Sequence, residues 1–143
     1  MKNLKVADLM IKNVISFFEE QSLPLASDLM NLKKVRHIPV VNEDMRVVGI
    51  VTHRDLLRVQ SESLIELIEG NATVTVEPDI AVTEVMSRDV WTVNQSASAH
   101  DAGKLLIDHA FGCLPVVDDD HKLVGIVTDR DYLRFAISVL KPS

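Results

Sequence analysis

Hydrophobic positions in residues 6–59 change their spacing several times, and each change predicts a different element. Residues 6–10 have helical spacing, residues 14–18 are rich in strand-forming side chains, and residues 24–35 return to helical spacing. A proline opens the second helical stretch, where the first turn tolerates it. The apolar positions of the two helical stretches are Val6, Leu9 and Met10, and then Leu25, Leu29 and Leu32.

Two short apolar runs follow, at residues 38–41 and 46–51, with the polar residues 42–44 between them. This pattern predicts an antiparallel hairpin. Thr52 then opens a helix that continues beyond Leu57. Residues 6–59 therefore predict the order helix turn, β, α, β, β, α.

The same order returns in the second half of the chain. Gly49-Ile-Val-Thr-His-Arg-Asp55 reappears as Gly125-Ile-Val-Thr-Asp-Arg-Asp131, an offset of 76 residues, and roughly a third of the paired positions from residue 6 to residue 59 are identical. The chain is thus one small unit duplicated, with two copies expected to share a core around a pseudo-twofold axis. In the second copy we expect a strand at 90–93 and a hairpin of 114–117 with 122–127. Its helices should be lined by Ala102, Leu105 and Leu106, and by Leu133, Ala136, Ile137 and Leu140.

The predicted boundaries are residues 1–60 for the first repeat, 61–80 for a linker and 81–143 for the second repeat. Within the linker, residues 64–68 are helical in pattern and Gly70-Asn71 resembles a helix C-cap. Residues 73–76 are candidates for a short strand that ends at Glu77-Pro78. The apolar residues of the linker are candidates for a dimer contact.

Composition excludes several classes of protein. A net charge of −6 argues against a general nucleic-acid binder, and no signal peptide or membrane span is visible, so we expect a cytoplasmic protein. Cys113 is the single cysteine, which suits a reducing compartment and a buried, unreactive thiol. The five histidines lack metal-ligand spacing, and no nucleophile, metal cluster or acid–base pair marks an enzyme.

Thr52-x-x-Asp55 and Thr128-x-x-Asp131 each follow an apolar strand and open a helix. Local capping explains this pattern without any ligand, because the threonine oxygen accepts a backbone N–H and the aspartate favours the positive end of the helix. A second interpretation is a nucleotide site. Free N–H groups would hold an anion, Arg54 or Arg130 a phosphate, and the carboxylate both ribose hydroxyls.

The β-α-β-β-α order, the Ile-Pro-Val-Val or Leu-Pro-Val-Val entry to the hairpin, and the closing Gly-hydrophobic-hydrophobic-Thr-x-x-Asp resemble the cystathionine-β-synthase (CBS) domain family. Two copies resemble the tandem arrangement known as a Bateman module. The resemblance implies an α/β (α+β) fold of two pseudo-symmetric repeats packed through their sheets, with two clefts that each draw on both repeats.

Carried over by position, the resemblance implies two sets of ligand-binding residues. One cleft would combine Asp131, Thr128 and Arg130 with a base pocket of Ile11, Ile15, His37, Ile38 and Pro39. The other would combine Asp55, Thr52 and Arg54 with Ser87, Trp91, Cys113, Leu114 and Pro115. The backbone around Ile38 and Leu114 would contact the edge of the base.

The two clefts are not equivalent in sequence, since His37 corresponds to Cys113, Ile15 to Trp91 and His53 to Asp129. Asp129 adds negative charge near an expected phosphate. We therefore expect the Asp131 cleft to prefer fewer phosphates or a cationic adenosyl ligand.

These observations predict a stand-alone CBS-pair regulatory module that binds AMP, ADP, ATP or S-adenosylmethionine as an effector, with no required cofactor and no catalytic or metal-binding residues. The family implies a homodimer, and a regulated target would be a separate protein chain. The alternative is a structural or adaptor homodimer with unliganded clefts, in which both Thr-x-x-Asp motifs only cap helices.

Overall fold

The computed structural model describes residues 3–70 and 80–142 and divides the chain into two compact units. Residues 15–90 form one, which we call the first-repeat unit. Residues 1–14 and 91–143 form the other, the second-repeat unit. Each contains a three-stranded sheet with helices, and this confirms the predicted α+β fold of two repeats.

The order of elements predicted for each copy is confirmed. A 3-10 turn at Val82–Glu84 opens the second copy, where the first copy opens with α1. The elements are α1 (Val6–Leu9), β1 (Phe17–Phe18), α2 (Leu23–Lys33), β2 (His37–Val41), β3 (Val47–Thr52), α3 (His53–Ile68), β4 (Val93–Asn94), α4 (Ala99–Asp108), β5 (Cys113–Val117), β6 (Leu123–Thr128) and α5 (Asp129–Val139).

Both sheets have the same topology. β1 runs parallel to β2, and β2 pairs antiparallel with β3; β4, β5 and β6 repeat this arrangement. The predicted hairpins are therefore confirmed. The middle strands β2 and β5 supply most of the apolar core of their sheets, and all five side chains of β5 are buried.

The predicted first strands were too long. Only Phe17–Phe18 and Val93–Asn94 pair with a neighbour, whereas residues 14–16 and 90–92 stay outside the sheets. The boundaries between the units fall after Val14 and after Val90. The apolar residues of these stretches thus lie where the chain passes from one unit to the other.

The expected apolar face of α2 is also wrong in part. Leu23, Ala26 and Met30 are the buried side chains of this helix, whereas Leu25 and Leu32 are exposed. The helix itself is confirmed. Proline lies in its first turn, and Lys34 ends it in the left-handed conformation, with φ 56°. In α4 the expected face is confirmed, because Ala102 and Leu106 are buried and Leu105 packs against them.

The segment that opens each repeat packs in the unit of the other repeat. Val6 is fully buried in the core of the second-repeat unit, and Ile11 exchanges two backbone hydrogen bonds of 2.8 and 3.0 Å with Ile126 of β6. Val82 is likewise buried in the first-repeat unit, where Ser87 exchanges bonds of 2.9 and 3.0 Å with Ile50 of β3. Each unit thereby covers the free edge of its last strand.

The glycine of each Gly-Ile-Val-Thr motif makes this edge pairing possible. A Cβ atom built on Gly125 would lie 2.7 Å from Met10 Sδ and 2.8 Å from the carbonyl oxygen of Ile11. At Gly49 it would clash with Met86 Sδ and lie 3.0 Å from the carbonyl oxygen of Ser87. The glycine in both motifs therefore serves the close approach of the opening segment.

The helical pattern at residues 64–68 belongs to α3, which runs without a break to Ile68. Gly70 follows with φ 78°, a left-handed conformation that suits glycine. The strand expected at residues 73–76 and the stop at Glu77-Pro78 lie outside the described residues. Across residues 3–70 and 80–142, no helix combines the length and apolar character needed to cross a bilayer.

Candidate functional site

Thr52 and Asp55 hold each other at the junction of β3 and α3. The carboxylate oxygen Oδ2 of Asp55 accepts the backbone N–H of Thr52 at 2.8 Å and the threonine hydroxyl at 3.0 Å. Thr52 Oγ1 accepts the backbone N–H of Asp55 in return, at 3.3 Å. This reciprocal arrangement is a capping box with aspartate in place of the usual glutamate.

The same arrangement recurs at the junction of β6 and α5. Asp131 Oδ2 accepts the backbone N–H of Thr128 at 2.8 Å and its hydroxyl at 3.1 Å, and Thr128 Oγ1 accepts the backbone N–H of Asp131 at 3.4 Å. Asp131 is the only buried charged side chain among the described residues. The predicted capping role of both motifs is confirmed.

The second carboxylate oxygen of each aspartate has a much weaker contact. Oδ1 of Asp55 faces Arg58 Nη1 at 3.5 Å, and Oδ1 of Asp131 faces Arg134 Nη1 at the same distance. Both arginine side chains are more than half exposed, at 55% and 66%. Such long, solvated pairs contribute little free energy. One oxygen of each carboxylate is therefore committed to the helix cap, and the other can exchange its partner at small cost.

The expectation of free backbone N–H groups at these helix ends is wrong for most of them. At α5 the amide of Asp129 donates to Gly112 at 3.3 Å, and that of Arg130 donates to Asp129 Oδ1 at 2.8 Å. At α3 the amide of His53 donates to the carbonyl of Arg36 at 2.8 Å. The third amide in each helix is capped by threonine, so side chains rather than bare amides must supply most of the attraction for an anion.

In each unit, several of the predicted site residues lie on neighbouring strands. In the first-repeat unit, His37 is paired across the hairpin with Thr52, and Ser87 is paired with Ile50 on the opposite edge of β3. In the second-repeat unit, Cys113 is paired with Thr128, and Ile11 with Ile126. Arg54 and Arg130 are both exposed, one residue before the capping aspartates.

The residues expected to form the base pockets differ in burial, and Ile11, Ser87 and Trp91 are exposed. Ile38, Pro39, Leu114 and Pro115 are fully buried. Their side chains serve the two hydrophobic cores, so any ligand contact from them would use the backbone. Ile15 packs against the core of the first-repeat unit. The assignment of each base pocket to the opposite repeat stays a prediction.

Trp91 belongs to an aromatic cluster at the surface of the second-repeat unit. Its ring centroid lies 4.6 Å from that of His109 and 5.7 Å from that of Phe111, and the last two rings stack at 5.1 Å. The corresponding residues of the first copy are Ile15, Lys33 and Val35. Repeat comparison could not reveal this cluster, since only one copy contains it.

Cys113 is buried at the start of β5. Burial, and to a smaller extent the negative charge of Asp129, raise the pKa of its thiol to about 12. The thiol is thus a protonated, unreactive group, as the sequence indicated.

Two cavities lie within single units, and none of the predicted site residues lines them. One, of about 290 Å³, is lined in the first-repeat unit by Phe18, Glu19, Glu20, Val41, Asn42, Glu43 and Asp44. The other, of about 260 Å³, is lined in the second-repeat unit by Asn3, Leu4, Leu9, Ser98, Ala99, His100, Tyr132 and Phe135. No group of three or more potential metal ligands occurs in the part of the chain that the structure describes.

Sequence reasoning missed two features of the site. Arg58 and Arg134 stand three residues after the capping aspartates in both copies, so the repeat itself contained the signal. Arg36 reaches α3 through a backbone bond that no motif reveals.

A family model described as the CBS domain matches this chain twice, at residues 6–62 and 82–138. Among solved structures, CBSX2 in complex with AMP is 31% identical with a TM-score of 0.78, covering 96% of this chain and 98% of that one. The CBS-pair protein CBSX2 from Arabidopsis thaliana is 28% identical with a TM-score of 0.78, covering 99% and 100%. The CBS domain pair of protein MJ0100, in complex with 5′-methylthioadenosine and S-adenosyl-L-methionine, is 25% identical with a TM-score of 0.74, covering 93% and 99%.

Curated relatives include enzymes that are much longer than this chain. A homoserine O-acetyltransferase of Methanosarcina acetivorans and an inosine-5′-monophosphate dehydrogenase of Methanocaldococcus jannaschii are each 28% identical over 130 residues. The chain spans only 21% and 23% of their lengths. These matches therefore concern about a fifth of each enzyme.

Proposed function

Because this chain belongs to the CBS domain family as a tandem pair of CBS domains, we propose that it binds an adenosyl compound and acts as a sensor rather than as a catalyst. The candidate effectors are AMP, ADP, ATP and S-adenosylmethionine. The observation that supports the proposal most directly is the similarity to an AMP-bound CBS-pair protein over nearly the whole of both chains.

The capping aspartates supply the chemistry proposed for ribose recognition. Their Oδ2 atoms remain bonded to threonine, and their Oδ1 atoms exchange a 3.5 Å arginine contact for a ribose hydroxyl. The helix cap is thus preserved when the ligand binds. Arg54 and Arg130, which are exposed beside these carboxylates, are the proposed phosphate contacts.

A sensor acts through a second state, and the ligand shifts the equilibrium only by its differential affinity for the two states. We propose that the readout is contact with a separate regulated protein, and that the chain forms a homodimer. Exposed apolar side chains on α5 and at its C-cap support the proposed homodimer: Leu133, Ile137 and Leu140 lie at helical spacing and are at least 60% exposed.

Thermal unfolding of the full chain with each candidate ligand tests the proposal. A ligand at 100 times its dissociation constant adds about 2.7 kcal/mol to the free energy of unfolding, so the melting temperature should rise by several degrees. Asp55→Ala or Asp131→Ala should remove part of that rise. Asp101→Ala is the control, because Asp101 stands at the same third helical position in α4, where Ser98 caps its amide. Its loss should leave the response intact.

One observation favours the adaptor alternative. Both aspartates have complete structural roles as helix caps, and Asp131 is buried with contacts to both oxygens. If none of the four compounds changes the melting temperature at millimolar concentration, the proposal of a sensor fails and the adaptor function is favoured.

A further inference from the structure

The two helix N-termini that contain the Thr-x-x-Asp motifs differ in charge. At α3 the first residue is His53, and its amide bonds to the carbonyl of Arg36 at 2.8 Å, which brings the backbone of a cationic residue to the helix end. Arg54 follows. At α5 the equivalent positions are Asp129, Gly112 and Arg130. These positions at the N-terminus of α3 thus hold three basic residues and no acidic one. The equivalent positions at the N-terminus of α5 hold one acidic residue, one basic residue and a glycine.

The carboxylate of Asp129 is fixed over the end of α5. Its Oδ1 atom accepts the amide of Arg130 at 2.8 Å, so it occupies a donor that a phosphate would otherwise use. The corresponding residue at the start of α3 is His53, so this position has no carboxylate.

We propose that the two sites select different adenosyl ligands: the α3 end takes adenine nucleotides with two or three phosphates, and the α5 end takes AMP or an adenosyl compound without phosphate. This inference rests on the proposed function. A unit negative charge at contact distance from a phosphate weakens its binding by about tenfold when the pair is largely solvated. Residues 53 and 129 are the specificity-determining positions.

Calorimetric titration of the full chain with ATP and with AMP tests the inference. Asp131→Ala isolates the α3 site and Asp55→Ala isolates the α5 site, with thermal unfolding as the check that both variants fold. The ratio of ATP affinity to AMP affinity should be at least about tenfold higher at the α3 site. This difference should shrink as salt is added, because the charges are exposed.

Reciprocal substitutions provide the second test. Asp129→His in the Asp55→Ala background should raise ATP affinity by about tenfold, and His53→Asp in the Asp131→Ala background should lower it by a similar factor. Asp108→His is the matched control, since it makes the same charge change at an exposed residue at the end of α4 in the second-repeat unit. It should leave the ratio unchanged.

The outcomes separate this inference from the proposed function. If the wild-type chain binds none of the four adenosyl compounds, the proposed function fails and this inference with it. If the chain binds them but the ATP to AMP ratio is equal at the two sites, or does not respond to the reciprocal substitutions, only the inference is overturned.

Discussion

At the residue scale, the threonine–aspartate pairs combine two tasks in one carboxylate. Asp55 and Asp131 each use Oδ2 to complete a capping box and leave Oδ1 on a loose contact with an exposed arginine. A substitution there therefore affects stability as well as any binding. Removal of a cap of this kind costs about 1 kcal/mol.

Thr128→Val separates the two tasks of the second motif. Valine keeps the size of the side chain but removes the oxygen that accepts the amide of Asp131. We expect a loss of about 1 kcal/mol in the free energy of unfolding, measured by urea denaturation. Ser98→Ala, which removes the side-chain cap of α4, is the comparison. Unchanged stability in Thr128→Val would contradict a structural role for the cap.

Gly125→Ala tests the close approach of the opening segment. The new Cβ atom would meet a backbone carbonyl at 2.8 Å, which a flexible side chain cannot relieve. We expect destabilisation of about 1–3 kcal/mol and a lower melting temperature. Gly49→Ala should behave similarly in the other unit. A melting temperature equal to that of the wild type would show that the segment does not pack as described.

The thiol of Cys113 predicts a pH dependence of stability. Burial and the charge of Asp129 raise its pKa from 9.0 to about 12, so the unfolded chain releases this proton at lower pH than the folded chain. The associated stability is complete below pH 9.0 and is lost as pH rises toward about 12. The slope is on the order of 1 kcal/mol per pH unit.

Urea denaturation on the alkaline side measures this slope. Cys113→Ala should flatten it, although Tyr132, whose pKa is also raised, first by burial and then by Asp131, leaves a residual dependence in the same direction. An identical slope in the variant and the wild type would mean that the thiol is not buried as described.

At the scale of elements, α5 presents an apolar face that the core does not use. Asp131 is buried, whereas Leu133, Ile137 and Leu140 are exposed. The helical spacing of these apolar residues predicted the helix correctly but gave no indication of what the face contacts. An exposed stripe of this kind on a soluble helix commonly marks an interaction surface.

Ile137→Glu tests whether α5 carries the proposed homodimer contact. The charge would be placed within an apolar interface, so the dimer dissociation constant measured by analytical ultracentrifugation should rise at least tenfold, a loss of about 1.4 kcal/mol or more. Ile107→Glu is the matched control, because Ile107 is an equally large side chain and is 80% exposed on α4. If both variants dimerise like the wild type, α5 does not form the interface.

The sequence predicted the elements better than their surroundings. The spacing of apolar residues and the internal repeat were sufficient to predict the order of helices and strands, because that order depends on local sequence. The buried face of α2 was misjudged, since leucines at helical spacing are not necessarily buried when alanine and methionine fit the core better. The capping boxes were predicted because they are local, whereas the bond from His53 to Arg36 joins distant residues and was missed.

At the scale of the whole chain, sequence repeats and compact units do not coincide. The family model covers residues 6–62 and 82–138, but residues 6–14 belong to the second-repeat unit and residues 82–90 to the first-repeat unit. The repeat assigns each opening segment to its own copy by sequence, whereas the structure packs it in the unit of the other copy. The sequence does not determine which strand edge an opening segment pairs with, because β3 and β6 have equivalent free edges.

Val6→Ala and Val82→Ala test this exchange. Each valine is fully buried, so each substitution should cost about 2 kcal/mol through lost burial and a residual cavity. Val6→Ala should reduce hydrogen-exchange protection in β5 and β6, and Val82→Ala in β2 and β3. Loss of protection in β2 and β3 from Val6→Ala would contradict the exchange.

The exchanged segments also bear on the origin of the molecule. A single copy would have formed a sheet whose last strand needed an opening segment from another polypeptide. A second molecule of the same chain could have supplied that segment. Tandem duplication would then have joined both copies in one polypeptide chain. An assembly that had depended on protein concentration would have become intramolecular. A polypeptide cut between the copies should therefore reassemble from its two halves, because each half supplies the opening segment that completes the sheet of the other.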